Sequence, residues 1–240
     1  KRRYQEYRND ARLSVRQFQI ALRGLRDLRR LGRPELSLPL SVLHTAKNGG
    51  DVEVVLQRSR KNRLRLILLM DVGGSMTPHT ALVSRLFSAA AKANHFQLFK
   101  HYYFHNIIYE SLFEDAGFEQ PVAIDDFLRS HNEETRLIFV GDASMNPFEL
   151  FDKRHAFFEF FYRSGKDPNS LPGSKSAVLS GYERLQQLKT KYRYSVWLNP
   201  DARSAWQHET VEAVADIIPM FSLTVDGLQC AVRSLSVVDL

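Results

Sequence analysis

The sequence predicts an α/β protein in which a mostly parallel central sheet lies between two layers of helices. Two segments, LRLILLM at 64–70 and LIFV at 137–140, are nearly continuous apolar runs. Such runs are typical of strands that are buried on both faces of a parallel sheet. Strand-like and helix-like segments also alternate along most of the chain, which is the pattern of an α/β sandwich around a mainly parallel sheet.

The composition is typical of a folded protein, and it excludes some classes of protein. Of the 240 residues, 44% are hydrophobic and 25% are charged, which is ordinary usage for a globular domain. The single cysteine, Cys230, excludes an intrachain disulfide. We find neither a signal-peptide pattern nor an apolar run of membrane-spanning length, so we expect no membrane span and a cytoplasmic location.

The net charge of +6 is concentrated at the N-terminus. Residues 1–33 contain eleven Lys or Arg and three acidic residues, a net charge of +8, and the rest of the chain is slightly acidic. Apolar residues recur there at helical spacing, Asp10 is a candidate N-cap, and Gly32 with Pro34 would end the helix. We therefore predict a basic N-terminal helical extension at 1–35 and an α/β domain at 36–240.

The arginine-rich face of this extension has three interpretations. It is a solvated face of a helix that packs along the domain, a docking surface for an acidic partner, or a nucleic-acid site. Nucleic acid is the least favoured, because neither interleaved aromatic residues nor a known nucleic-acid motif accompanies the charge.

Within 36–240 the predicted elements follow in a regular order. A helical or extended connector (PELSLPLSVLHTAKNGG), a strand (DVEVVLQRS) and a basic turn (RKNR) precede the first apolar run. The predicted helices are HTALVSRLFSAAAKANHF, AIDDFLRSH, ELFDKRHAFFEFFYR, AVLSGYERLQQLKTKY, ETVEAVADII and DGLQCAVRSL. Two strands within KHYYFHNIIYESLF, then RYSVWLNP and PMFSLTV, complete the sheet. The adjacent phenylalanines at 157–161 cannot all face inward, and an exposed aromatic patch there would be an interaction surface.

Each of the two apolar runs leads to an aspartate, Asp71 or Asp142. Ligands of such sheets bind beyond the carboxyl ends of the strands, so both carboxylates should lie at that edge. Two carboxylates held close together repel each other, and a divalent cation is the usual way to stabilise the pair. Oxygen ligands with several retained waters suit Mg²⁺. Ser75 would add a hydroxyl, and Gly73 and Gly74 let the backbone approach the ion.

These residues resemble those of a known family. DVGGSM resembles the Asp-x-Ser-x-Ser signature of von Willebrand factor A (VWA) domains, which holds a metal-ion-dependent adhesion site. VGDASM resembles the second aspartate loop of that site. From about residue 36 to residue 240 the chain is similar to the bacterial CoxE-like branch of the family. The resemblance implies a Rossmann-like fold and a metal-dependent protein-binding adaptor, not an enzyme.

The resemblance also implies the ligands and the partner. Asp71, Ser75 and Asp142 take the positions of metal ligands, and the ion would be Mg²⁺, or alternatively Mn²⁺ or Ca²⁺. A carboxylate from a partner protein would complete the metal shell. CoxE-like proteins typically act beside MoxR-type AAA ATPases, so such an ATPase is the implied partner.

The site departs from the family pattern at two positions. Gly73 occupies the position of the first serine, and the family's threonine has no clear counterpart, so the implied site is degenerate. Asn106 and Ser144 are candidate substitute ligands, and His79 is a candidate residue of the rim.

Three alternatives to this adaptor stay open. Aspartate between a strand and a helix often only caps the helix, which would account for Asp71 and Asp142. Haloacid-dehalogenase-type phosphatases also place aspartate loops at this edge, and GDASMN resembles their later loop. The position of their general acid is Gly73 here, however, which cannot transfer a proton. The third alternative is a purely structural VWA domain with no bound ion.

Overall fold

A central seven-stranded sheet organises the protein. A computed structural model describes residues 14–26, 28–154 and 178–236. The sheet has the spatial order β6-β5-β4-β3-β7-β8-β9. Its strands are β3 (Arg65–Asp71), β4 (Leu98–Phe104), β5 (Ser111–Phe113), β6 (Pro121–Ala123), β7 (Arg136–Val140), β8 (Ser195–Asn199) and β9 (Met220–Ser222). Strands β4, β3, β7, β8 and β9 are parallel, and β5 pairs antiparallel with both β4 and β6. The predicted α/β fold with a mostly parallel sheet is confirmed.

Helices cover both faces of this sheet. The described α-helices are α1 (Val15–Leu22), α2 (Leu38–Lys47), α3 (Thr80–Ala91), α4 (Ile124–Ser130), α5 (Pro147–Phe151), α6 (Gly181–Lys191), α7 (Glu209–Ile217) and α8 (Val225–Ser236). Residues of α1, α3 and α8 form a first hydrophobic core on one face of the sheet. Residues of α4, α5, α6 and α7 form a second core on the other face. The three-layer arrangement follows from these two cores.

Strand β3 lies at the centre of both cores. Leu66, Leu68 and Met70 pack in the first core, and Ile67 and Leu69 pack in the second. This alternation needs apolar residues at every position, which is why the strand reads as a continuous apolar run. From β3 the chain builds the sheet outward through β4 to β6, and then returns to β7 on the other side of β3. The topological switch point therefore lies between β3 and β7, where α/β sheets bind ligands.

The N-terminal segment differs from its prediction. Helix α1 starts after Ser14, whose hydroxyl accepts a hydrogen bond from the Gln17 N–H in a capping box. Phe18 and Leu22 of this helix are buried in the first core. The predicted N-cap Asp10 lies outside the described residues. Since α1 supplies core side chains, deleting residues 1–33 would damage the fold as well as remove the basic charge.

The predicted continuation of that helix to Gly32 is wrong. Residues Leu28–Leu36 form strand β1, which pairs antiparallel with β2 (Leu56–Asn62) in a separate two-stranded sheet. Gly32 and Pro34 are poor helix residues, and Pro is tolerated in strands that lie at an edge. The predicted domain boundary after residue 35 falls inside β1, and the division into two domains stays a prediction.

The basic turn predicted at RKNR is also wrong. Arg60, Lys61 and Asn62 continue strand β2, because they pair with residues of β1. The strand predicted at 51–59 starts only at Leu56, and residues 51–55 precede it without regular structure.

The remaining predicted helices and strands are present in the predicted order. Of the segment ELFDKRHAFFEFFYR, only the part up to residue 154 is described, and its helix α5 ends at Phe151. The predicted aromatic patch at 157–161 lies outside the described residues. In the ranges that the structure covers, no helix combines the length and the apolar character needed to cross a membrane.

Candidate functional site

Asp71 lies at the carboxyl end of β3, on one side of the switch point. It is the last residue of that strand, and only 3% of it is exposed. Its Oδ1 atom accepts a hydrogen bond of 2.9 Å from the backbone N–H of Asn106, which follows the neighbouring strand β4. Asn106 has a φ of 57°. The β4 loop thus turns back to hold the carboxylate in place.

Asp142 lies on the other side of the switch point, two residues after β7. It is likewise 3% exposed, and its Oδ1 atom accepts a hydrogen bond of 2.9 Å from the backbone N–H of Ser144. The side chain of Asn199, at the end of β8, donates a 2.7 Å hydrogen bond to the Asp142 carbonyl. The prediction that both aspartates lie at the carboxyl edge of the sheet is confirmed.

Gly141 lets these two loops approach each other closely. A Cβ atom at this position would lie 2.9 Å from the Cβ of Asp71 and 3.3 Å from Cζ2 of Trp197. Atoms at 2.9 Å would have to move apart, so the Asp71 and Asp142 loops lie side by side only because residue 141 has no side chain. The Trp197 N–H fixes the same glycine by a 2.7 Å hydrogen bond to its carbonyl.

The electrostatics of Asp71 show that the two carboxylates interact. The pKa of Asp71 is raised to about 8, mainly by burial and also by the nearby carboxylates of Asp142 and Glu149, while the backbone N–H groups of Asn106 and Val72 act in the opposite direction. Near neutral pH, the ion-free Asp71 carboxyl therefore holds a proton. A bound cation would replace that proton, since metal ligation requires the carboxylate.

Glu149 is the carboxylate that sequence reasoning missed. It lies in the first turn of α5, and its Oε2 accepts a 2.6 Å hydrogen bond from the Asn106 side chain. The Tyr109 hydroxyl donates a 2.7 Å hydrogen bond to its backbone carbonyl. An acid in a first helical turn is common for reasons of the helix dipole alone, so its position in the sequence did not indicate a site.

The loop after Asp71 forms a 3₁₀ helix, Gly74–His79, and not the first turn of α3. Ser75 lies in this short helix and is exposed. Gly73 has a φ of 89° and a ψ of −178°, a conformation that non-glycine residues rarely adopt. The glycine at 73, where the family pattern has serine, is therefore explained by the backbone of this turn.

Helix capping does not account for the two aspartates. The N-cap of the 3₁₀ helix is Gly73, and the N-cap of α5 is Asn146, whose side chain accepts a hydrogen bond from the Phe148 N–H. Asp142 instead closes its own loop through Ser144.

The residues predicted at the periphery of the site, His79, Asn106 and Ser144, make hydrogen bonds or ion pairs that link its loops. His79 pairs with Asp201 at 2.9 Å and so links the 3₁₀ helix to the segment after β8. Asn106 uses its side-chain N–H on Glu149, and Ser144 donates its backbone N–H to Asp142. Thr210, which the sequence did not single out, supports the Asp142 loop by donating a 2.8 Å hydrogen bond to the Ala143 carbonyl.

The donor set suits a hard divalent cation. Two buried carboxylates and a nearby third offer oxygen only, the ligand type that Mg²⁺ and Ca²⁺ prefer. Within the described ranges, no group of three or more His, Cys, Asp or Glu side chains is arranged to hold a metal ion. That finding leaves open a site with two protein carboxylates, which needs hydroxyl, water or partner oxygens as well.

An apolar cavity of about 290 Å³ adjoins Asp71. Met76, Val83 and Phe87 line it beside the carboxylate, and Tyr103 closes the β4 side. A carboxylate at the wall of an apolar cavity has little solvent to stabilise its charge, which agrees with burial as the main cause of the raised pKa.

Comparison of the chain with protein-family models, with curated proteins and with solved structures gives no match. The resemblance to VWA domains therefore rests on the quoted motifs.

Proposed function

We propose that the chain is a VWA-type, CoxE-like binding module that holds a divalent cation, Mg²⁺ first, with Asp71 and Asp142. The main support is that two carboxylates, each 3% exposed, flank the switch point and interact with each other. Ionising both buried carboxyl groups without a counter-charge is unfavourable, and Asp71 therefore keeps its proton near neutral pH when no ion is bound. A cation between them would remove that cost.

In this proposal the cation serves binding and not catalysis. Ser75 would add its exposed hydroxyl to the two carboxylates, and an Asp or Glu of a partner protein would complete the shell. Affinity for the partner would then depend on the ion and on that one carboxylate. With Gly73 in place of a serine, the chain alone supplies few ligands, so we expect weak affinity for the ion until the partner's carboxylate is present.

The partner to test first is a MoxR-type AAA ATPase in the cytoplasm, as the resemblance implies. Retention of the purified ATPase on immobilised chain should require Mg²⁺ and should be lost with chelator and with Asp142→Asn. Retention that survives both treatments would contradict metal-dependent binding of this partner.

Calorimetric titration of Mg²⁺ and Mn²⁺ into the whole chain tests the site itself. Acetate in the buffer supplies a surrogate for the partner's carboxylate. We expect binding that Asp71→Asn and Asp142→Asn abolish, and that Ser75→Ala weakens. Glu133→Gln is the matched control, because Glu133 is an exposed acid in the turn before β7, at the opposite edge of the sheet.

The pH dependence sharpens this test. Since Asp71 must lose its proton to bind the ion, affinity for Mg²⁺ should rise between pH 6 and pH 8, by up to about tenfold per pH unit. An affinity that is constant over this range, or that survives Asp71→Asn, would place the ion elsewhere. Absence of binding with and without acetate would favour the purely structural domain.

The phosphatase alternative has a test in the same samples. Hydrolysis of p-nitrophenyl phosphate that needs Mg²⁺ and is lost in Asp71→Asn would support an enzyme. We expect no turnover, because Gly73 cannot act as a general acid.

A further inference from the structure

A second region of the molecule exposes apolar side chains. We call residues 28–62 the ribbon unit: it consists of β1, α2 and β2. Ten large hydrophobic side chains are exposed in the described part of the chain, and seven of them lie between residues 36 and 56 of this unit. They are Leu36, Leu38, Val42, Leu43, Val52, Val54 and Leu56. Large exposed apolar clusters of this kind are typical of interaction surfaces.

Helix α2 is oriented with its polar face inward. Its Ser41 and Thr45 hydroxyls accept hydrogen bonds of 2.8 Å and 3.0 Å from the backbone N–H groups of Val55 and Glu53. Asn48, one turn further on, donates a 2.5 Å hydrogen bond to the Glu53 carboxylate. These residues recur at i, i+4 and i+7, so a single stripe of the helix holds segment 51–55.

The apolar residues of α2 are left on the outside. Leu38, Val42 and Leu43 are 65%, 67% and 47% exposed, and no residue of the helix is buried. A surface helix of a globular protein normally does the reverse and turns its apolar stripe to the core. The polar contacts already fix α2 on its own unit, so its apolar stripe is free to pack against another molecule.

The same unit carries a strong positive charge. Residues 28–63 contain eight Lys or Arg and three acidic residues, and one of those acids, Glu53, already pairs with His44. Arg58 of β2 is exposed. Because three acids cannot neutralise eight basic residues, the charge of the unit favours an anionic partner.

We propose that the ribbon unit is a docking surface for an acidic amphipathic helix of a partner protein. Aliphatic side chains of that helix would pack on the exposed face of α2 and on Leu36 and Leu56. Its Glu or Asp residues would pair with Arg58, which is exposed on β2. Laying an amphipathic helix on an apolar surface is a common mode of peptide recognition. This surface is separate from the strand ends that carry Asp71 and Asp142.

Two other partners fit the composition less well. Proteins at membrane interfaces typically place Trp and Tyr there, and residues 28–63 contain no aromatic residue of the Phe, Trp or Tyr type. Single-stranded nucleic acid is bound with stacking aromatics, which are missing for the same reason. Nucleic acid also leaves seven exposed aliphatic side chains without a partner.

Fluorescence anisotropy with a labelled synthetic helix tests the proposal on the whole chain. The probe is an amphipathic peptide with Leu on one face and Glu on the other, and a second peptide has Lys in place of each Glu. We expect the Glu peptide to bind, the Lys peptide to bind at least about tenfold more weakly, and the difference to shrink as salt is added.

Matched variants assign the binding to this unit. Combined Val42→Ser and Leu43→Ser, or Arg58→Glu alone, should weaken the Glu peptide by about tenfold or more. The controls are Ile20→Ser, an exposed aliphatic residue on α1, and Arg16→Glu, which makes the same change of charge on that helix. Circular dichroism checks that every variant is folded. All five side chains are at the surface, so each variant should retain the wild-type spectrum.

Three results would overturn the proposal. They are equal binding of the Glu and Lys peptides, equal losses in the ribbon variants and the controls, and binding of phosphatidylserine vesicles without binding of the Glu peptide. The last result would assign the surface to an anionic membrane.

Discussion

The carboxyl edge of the central sheet and the ribbon unit place their polar and apolar groups in opposite ways. At the sheet edge, Asp71 and Asp142 are buried among apolar strands. In the ribbon unit, Ser41 and Thr45 face inward while Val42 and Leu43 face solvent. One region thus buries acidic groups, and the other exposes aliphatic surface.

Neither arrangement stabilises the isolated chain. A buried carboxylate without a counter-charge lowers the stability of the fold, and exposed aliphatic clusters favour association. Two well-packed cores on either side of the sheet stabilise the described molecule. These two regions are therefore the places where we expect binding, of a cation in one case and of a protein in the other.

The largest loss of stability is expected from substitution of Trp197, a core residue beside the sheet edge. Its indole is fully buried, lies parallel to the ring of Phe139 with centroids 5.3 Å apart, and donates a hydrogen bond to the Gly141 carbonyl. We expect Trp197→Ala to lower the free energy of unfolding by about 3–5 kcal/mol in urea denaturation. Trp197→Phe keeps most of the packing and should cost about 1–3 kcal/mol, mainly for the unpaired carbonyl. A loss below 1 kcal/mol for Trp197→Ala would contradict the central position of this side chain.

The next largest effect is a pH dependence that comes from Asp71. Its pKa is about 8 in the folded chain and ordinary, near 4, when unfolded. The folded chain therefore binds one more proton than the unfolded chain between these values, and stability without metal should fall as pH rises. The slope is up to about 1.4 kcal/mol per pH unit between pH 5 and pH 7.

Asp71→Asn should remove that slope, so the variant should unfold at higher urea concentration than the wild type at pH 8. Mg²⁺ should flatten the slope of the wild type only. Parallel wild-type and variant curves in chelator would show that Asp71 does not titrate as the structure implies.

A smaller effect is expected inside the ribbon unit. Ser41→Ala removes the acceptor of the Val55 N–H, at a cost of about 1 kcal/mol. Amide hydrogen exchange at Val55 should then become about fivefold faster, since a local opening of this segment needs less free energy. Exchange in β3 should not change, because the central sheet does not depend on this contact.

The smallest effect is expected at the exposed face of α2. Leu43→Ser should change the free energy of unfolding by less than about 0.5 kcal/mol, because a half-exposed side chain without a core partner contributes little. A loss comparable to that of Trp197→Ala would mean that the apolar face of α2 is covered within the chain itself.

The central sheet is easier to predict from the sequence than the ribbon unit. Strand β3 is predictable because both of its faces are buried, which requires apolar residues at every position. Strand β2 is predictable only in part: the strand predicted at 51–59 overlaps it at residues 56–59, and its pairing with β1 supplies the rest. The leucine spacing of α1 continues past Leu22 and predicts too long a helix for a related reason: the backbone partners of residues 28–36 lie in β2.

The same distinction holds within the candidate site. Asp71 and Asp142 are predictable from a local rule, an acid at the end of an apolar run. Glu149 and Asp201 are not, because they reach this edge of the sheet through the packing of α5 and through the pairing of Asp201 with His79. Short-range sequence patterns carry no information on such contacts.

Gly141 has a consequence for how this edge of the sheet can evolve. A single methyl group at this position would stand 2.9 Å from the Cβ of Asp71, so even alanine would push the two acidic loops apart. A residue with a side chain at 141 would therefore be accepted only together with a change in the backbone of one of these loops.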